Sequence, residues 1–187
     1  MSVERTLSGV GVGPGDPDHV TVKALRTLEA ADVILVPSTE ARAGGVGRAE
    51  EIVCAHLPAK TAAIRRIPFS MAEHRGVGQR RASAWEASAT VAIEAFEAGA
   101  KRVAFATVGD ASVFSTFSYL CDLVSRRVEV TIEVIPGITA MQAIAATSRT
   151  PLVEGQEILS LVPWTVGPKA LARVCEVSDT VVIYKGG

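Results

Sequence analysis

The sequence predicts an α/β protein built on a parallel sheet, and three observations predict it. Residues 7–37 read as strand, glycine-proline loop, helix, strand, which is the βαβ unit of parallel sheets. Downstream, short β-branched runs alternate with stretches whose apolar residues fall at helical spacing. The chain has 187 residues, 48% hydrophobic and 21% charged, enough for one ordinary domain or two small ones with a core that needs no staples.

The elements follow in order. The apolar run 7–12 breaks at Gly13-Pro14-Gly15-Asp16-Pro17, a strand entering a tight loop. Val22, Leu25, Leu28 and Ala31 then share a helical face, with Asp18 or Thr21 as N-cap, and 32–37 is a buried strand. A small, polar stretch over 38–47 leads to a helix over 48–56 and a strand over 64–68. Residues 69–81 read as a loop entering a helix that runs to about Ala98, with Ala82, Trp85, Ala89, Ile93 and Phe96 on one face. A strand over 102–107 ends in the turn Val108-Gly109-Asp110, and a helix over 115–126 follows. A second half is expected to begin after Arg127, with strands at 129–135, 157–162 and 180–184 and helices at 138–146 and 169–176.

Composition narrows the function. A net charge of -1 leaves no basic surplus for general nucleic-acid binding. Cys54, Cys121 and Cys175 are too far apart in sequence for a metal pair or a compact disulfide framework and read as buried free thiols. No leader-like segment and no long apolar run is seen, so a soluble, cytoplasmic protein without membrane partners is expected. The Walker lysine loop, H-E-x-x-H and G-x-S-x-G are absent, and the three histidines are scattered, which removes support for hydrolase and metalloenzyme readings.

Ligands of open parallel sheets sit beyond the carboxyl ends of strands, so the loops there are informative. The first, Gly9 to Pro17, fails the G-x-G-x-x-G spacing; Pro14 and Pro17 lack N–H donors and Asp16 adds negative charge where a pyrophosphate would need amides. Its glycines either admit an uncharged or zwitterionic ligand close to the backbone or only shape a turn. The second holds Gly109-Asp110, whose carboxylate can accept from ribose hydroxyls or an ammonium group, or cap a turn. In the third, Pro136-Gly137-Ile138-Thr139-Ala140, Thr139 can cap a helix or meet a ligand.

The ordered set Gly-x-Gly-Pro-Gly-Asp-Pro, Gly-Asp-x-x-Val-Phe-Ser-Thr and Pro-Gly-Ile-Thr-Ala resembles the tetrapyrrole (corrin/porphyrin) methylase family over essentially the whole chain. The resemblance implies a class III methyltransferase of two α/β domains with parallel or mixed sheets. These are expected over 1–127 and 128–187, the second incomplete because family members continue past the strand ending at Tyr184. It also implies a homodimer and an acidic tetrapyrrole substrate, with S-adenosyl-L-methionine bound by Pro14, Val108, Gly109, Asp110, Val113, Thr139, Ala140, Tyr184 and Lys185. Lys185 stands where related methylases often have methionine.

Within the family, Val36-Pro37-Ser38, Phe114-Ser115-Thr116-Phe117-Ser118-Tyr119 and Pro68-Phe69-Ser70-Met71 look like the branch that methylates precorrin-2 at C20 to give precorrin-3A. The acid/base aspartate of the pathway's first methylase has no counterpart at Leu35-Val36-Pro37-Ser38, and no catalytic residue is assigned. Gly13, Gly15, Asp16, Arg42, Arg48, His74 and Arg75 are the candidates for substrate contact, with Arg80 and Arg81 nearby. The alternatives are another ring position or the cobalt-containing substrate, the relative that modifies a translation-factor histidine, and a non-catalytic binder of tetrapyrrole or S-adenosylhomocysteine.

Overall fold

A computed structural model describes residues 4–38, 45–68 and 78–184. In order the elements are β1 (Thr6–Gly11), α1 (Val22–Ala30), β2 (Val33–Ser38), α2 (Arg48–His56), β3 (Ile64–Pro68), α3 (Gln79–Glu97) and β4 (Arg102–Thr107). They are followed by α4 (Phe117–Ser125), β5 (Thr131–Ile135), α5 (Ala140–Ser148), β6 (Leu159–Pro163), α6 (Pro168–Val177) and β7 (Thr180–Tyr184). Short 3₁₀ turns at Pro17–His19, Pro58–Ala63 and Trp164–Val166 carry no apolar period and were not expected.

Two compact units divide between Thr139 and Ala140. The expected division after Arg127 lies earlier, because β5 pairs in parallel with β1 (Val10 opposite Ile135) and so belongs to the first sheet.

The first unit is a five-stranded sheet in the order β3-β2-β4-β1-β5, with every strand pair parallel. Strand alternation sends Leu7, Leu35, Val103 and Phe105 to one face, where α3 and α4 supply Phe96, Phe117 and Leu120. Val10, Ile34, Val36 and Ala106 face the other side, against Leu28 of α1 and Ile52 and Val53 of α2. Each fully buried Leu, Ile or Phe in these layers stabilises the fold by ~1.5–3 kcal/mol. Gly9 lies on the α4 side, where an added Cβ would run into the Phe117 ring. Thr21 caps α1 by accepting from Ala24 N–H at 3.1 Å. On α2, buried Glu50 accepts a bidentate pair from Arg66 of β3, at 2.8 and 2.9 Å, and fixes the helix against the sheet edge.

The second unit holds α5 and a parallel pair, β6 and β7, joined by α6. Ile158 N–H donates to Asp179 at 2.8 Å and ties the starts of the two strands. Among its described residues Val162 is the buried apolar side chain, whereas Ile144, Trp164 and Val177 are more than half exposed. Cys54 and Cys121 are half-buried and Cys175 is exposed, which corrects the expectation of three buried thiols; α6 turns no buried side chain inward. Among the described residues no helix is long and apolar enough to cross a membrane.

Candidate functional site

Three loops meet at the carboxyl end of the first unit's sheet, and they meet through backbone. Val12 N–H donates to the Thr107 carbonyl at 2.9 Å and Gly109 N–H to the Gly13 carbonyl at 2.7 Å, which extends the pairing of β1 and β4 past the strand ends. A Cβ on Gly11 would sit 2.6 Å from the Gly109 carbonyl oxygen and 2.7 Å from Gly137 N, so Gly11 and Gly137 let the three loops touch. Gly109 is different: its φ of +75° suits glycine, and the nearest atom to an added Cβ is Thr139 Cα at 4.0 Å. Space therefore opens beside the Gly109 backbone, bordered by exposed Val108 and buried Thr139.

Asp110 locks the arrangement. Its carboxylate, 8% exposed, accepts from Ser112 N–H at 2.7 Å and from the Ser112 hydroxyl on Oδ1, and from Gly137 N–H at 2.7 Å on Oδ2. Burial pushes its pKa up, but the three donors outweigh that and hold it below the ordinary carboxylate value. The sequence left turn-capping and ligand contact as alternatives for this residue. The structure makes it a cap that also spans two loops, and of about four acceptor positions on an ionised carboxylate one remains, on Oδ2.

A crevice lies on the other flank of β4. From β2 the chain leaves towards β3 on the α1/α2 face, and from β4 it leaves towards β5 on the α3/α4 face, so the two strand ends diverge and open a gap between them. A cavity of about 340 Å³ fills it, lined by Pro37 and Ser38 of β2, Thr107 and Val108 after β4, Gly47 and Arg48 at the start of α2, and Phe114 to Thr116 before α4. The N-terminal ends of α2 and α4 border this space; α2 has no side-chain cap, whereas at the start of α4 Ser115 Oγ accepts from Phe117 N–H at 3.2 Å. A larger groove of about 610 Å³ lies at the opposite, amino end of the sheet beside Asp32, Arg65, Glu94 and Lys101; none of the three loops above lines it, and size does not make it the site.

The expected residues divide accordingly. Gly13, Val108, Gly109, Asp110 and Thr139 are brought together, and Pro14 and Val113 border them in the same loops. Asp16 is exposed and accepts from Asp18 N–H at 3.0 Å, capping a 3₁₀ turn, while an added Cβ on Gly15 would meet nothing within 4 Å. Arg48 lines the crevice with a 57% exposed side chain, 3.7 Å from Glu51. Ala140 and Tyr184 belong to the second unit; Arg42, His74, Arg75 and Lys185 lie outside the described residues. Reasoning from sequence missed the Gly11–Gly137 contact, the role of Ser112 and the left-handed Phe114. The Asp-x-Ser spacing signals the second of these, and nothing local signals the others.

Residues 6–187 match the family model described as Tetrapyrrole (Corrin/Porphyrin) Methylases. The cobalt-precorrin-2 C(20)-methyltransferase of Salmonella typhimurium is 32% identical, over 96% of this chain and 72% of its own length. The cobalamin biosynthesis protein CobIJ of Mycobacterium tuberculosis is 34% identical over 100% of this chain, which spans 36% of the length of that relative. Among solved structures, a cobalamin-synthesis-related protein (CobF) from Corynebacterium diphtheriae shares the fold, with a TM-score of 0.72 at 20% identity over 98% of this chain and 73% of its own.

Proposed function

This chain belongs to the tetrapyrrole (corrin/porphyrin) methylase family, and from that premise we propose that it transfers a methyl group from S-adenosyl-L-methionine to C20 of precorrin-2. The observation that carries the reading is the pairing of two spaces across β4: the open backbone edge at Gly109, Asp110 and Thr139, and the crevice that Arg48 shares with Phe114. The first suits a cofactor that must lie against main chain, since no side chain at Gly109 fills it. Asp110, held ionised, keeps one acceptor position for a ribose hydroxyl or an ammonium group. The second space offers Arg48 and two helix N-termini to carboxylate arms and apolar side chains to a ring system.

The choice of C20 rests on where the subgroup-like residues fall. Of the residues that carry the likeness to the C20 branch, Pro37, Ser38, Phe114, Ser115 and Thr116 line the crevice, Val36 and Phe117 are buried in the core and Phe69, Ser70 and Met71 lie outside the described residues; the Salmonella relative is named for that reaction on the cobalt form. The cobalt-containing substrate is therefore the second reading.

When bound, S-adenosylmethionine supplies an already activated methyl group. The meso carbon of a reduced tetrapyrrole is an enamine-like nucleophile, so the protein's work is alignment, which can supply much of the acceleration without a covalent catalyst. Asp110 holds the Gly137 loop at a fixed distance from the end of β4, and the glycine contacts allow no slack between the three loops. Arg48 fixes a carboxylate arm from the α2 side.

A cytoplasmic homodimer completes the proposal, supported by exposed Ile144, Trp164 and Val177 in the second unit. In the presence of precorrin-2 the protein should convert S-adenosylmethionine to an equal amount of S-adenosylhomocysteine, and without it none. No conversion, beside an active control methylase, refutes the reading.

A further inference from the structure

Two non-glycine residues among those described have positive φ: Phe114 at 49° and Arg149 at 55°. Arg149 needs no special account. It follows the last residue of α5, and the N–H groups of Arg149 and Thr150 return to the carbonyls of Ala146 and Ala145, the left-handed ending that closes many helices.

Phe114 follows no helix. It stands between a turn closed by Val113 N–H on the Asp110 carbonyl, at 3.3 Å, and the start of α4 at Phe117. A left-handed backbone is unfavourable for a bulky aromatic residue, and glycine would adopt it without strain. Strain of this kind persists where the conformation places a group that function requires. Here the group placed is the ring: Phe114 lines the crevice between β2 and β4 and remains 38% exposed, although it lies in a loop between packed elements. Val108, 43% exposed, adds a second apolar surface to the same cavity, and Arg48 and Ser38 add polar ones. At about 340 Å³ the space is near the small end of ligand pockets, so it grips part of a large ligand.

We infer that the Phe114 ring is the apolar wall against which the substrate's ring system lies, and that it sets affinity for the tetrapyrrole without affecting affinity for the methyl donor. The inference rests on the tetrapyrrole reading above. The residue is reached by no step of the transfer itself; it determines what enters the crevice and how flat it lies.

Phe114→Gly removes the ring and the strain together, Phe114→Ala removes the ring and keeps the strain, and Phe114→Tyr keeps both. Uroporphyrin III, a stable carboxylated tetrapyrrole, serves as probe in a fluorescence titration, with S-adenosylhomocysteine followed separately by calorimetry. Phe114→Gly and Phe114→Ala should bind the porphyrin about tenfold more weakly or worse. Their S-adenosylhomocysteine affinity should stay within about twofold of wild type, Phe114→Tyr should bind the porphyrin as wild type does, and Phe114→Gly should unfold at or above the wild-type temperature. Unchanged porphyrin binding in Phe114→Gly or Phe114→Ala overturns the inference. So does an equal loss for both ligands, or a wild-type protein that binds no porphyrin. A wild-type protein whose porphyrin affinity depends on Phe114, yet which does not methylate precorrin-2, refutes the proposed reaction and leaves the role of Phe114 standing.

Discussion

Asp110→Asn is the sharpest perturbation of the site, because it changes one atom and keeps the shape. Both carboxylate oxygens face donors: Ser112 N–H and hydroxyl on one side, Gly137 N–H on the other. An asparagine amide has one oxygen. If it serves Ser112, its NH₂ faces the Gly137 N–H; flipped, it faces the Ser112 N–H. In either orientation a donor meets a donor at a site only 8% exposed.

The lost charge-assisted bond and the stranded N–H together should cost about 2–4 kcal/mol. For a chain of 187 residues this corresponds to a fall in melting temperature of about 5–15 °C. Urea unfolding followed by far-ultraviolet circular dichroism measures the first quantity, a thermal scan the second. Because the same bond sets the distance between the Gly137 loop and β4, S-adenosylhomocysteine affinity should fall about tenfold or more in calorimetry at a temperature where the variant is folded. An Asn variant within about 0.5 kcal/mol of wild type, with unchanged affinity, refutes the view that Asp110 holds the cradle.

Gly137→Ala places a Cβ against the Gly109 carbonyl and 2.8 Å from Gly11 Cα, backbone that cannot yield, so a loss of about 3 kcal/mol or more, or no soluble protein, is expected from the same unfolding assay. Arg48→Ala should leave stability within about 0.5 kcal/mol, since its side chain is 57% exposed, while raising KM for the carboxylated substrate several-fold with little change in kcat; the effect should shrink as salt rises. Asp110 is held below the ordinary carboxylate value by its donors, and Asp32 by the Arg102 N–H first, against burial, with Lys101 N–H assisting. A folded pKa below the unfolded one gives stability that is complete above about pH 4 and lost as pH falls through the folded values. Unfolding free energies from pH 6 to pH 2 should therefore be level and then decline, less steeply for Asp32→Asn; a rise on acidification contradicts this.

What could be read from the sequence is what depends on neighbours in the chain. The change from β-branched run to helical spacing around Thr21 places β1, α1 and β2 to within a residue or so, because each signal is local. The division of the chain is different. The strand at Thr131–Ile135 reads the same whether it opens a second domain or closes the first sheet, and only its pairing with Thr6–Val10, more than a hundred residues away, decides.

The site follows the same rule. The Asp110–Ser112 turn is visible as a spacing, whereas the Gly137 N–H on the same carboxylate is a long-range contact that no window of sequence contains. Glycines were read as room for a ligand. Beside Gly109 the space is open, whereas Gly11 leaves no such room, because it and Gly137 are small in order to touch each other. Phe114 gave no signal, since an aromatic residue is the last expected at positive φ.

The most direct measurement is carbon-13 NMR of the product formed from precorrin-2 and methyl-labelled S-adenosylmethionine. A single labelled methyl on C20 is the expected result. A label on any other carbon, or none beside an active control, contradicts the assignment of this cradle and crevice to methylation at C20.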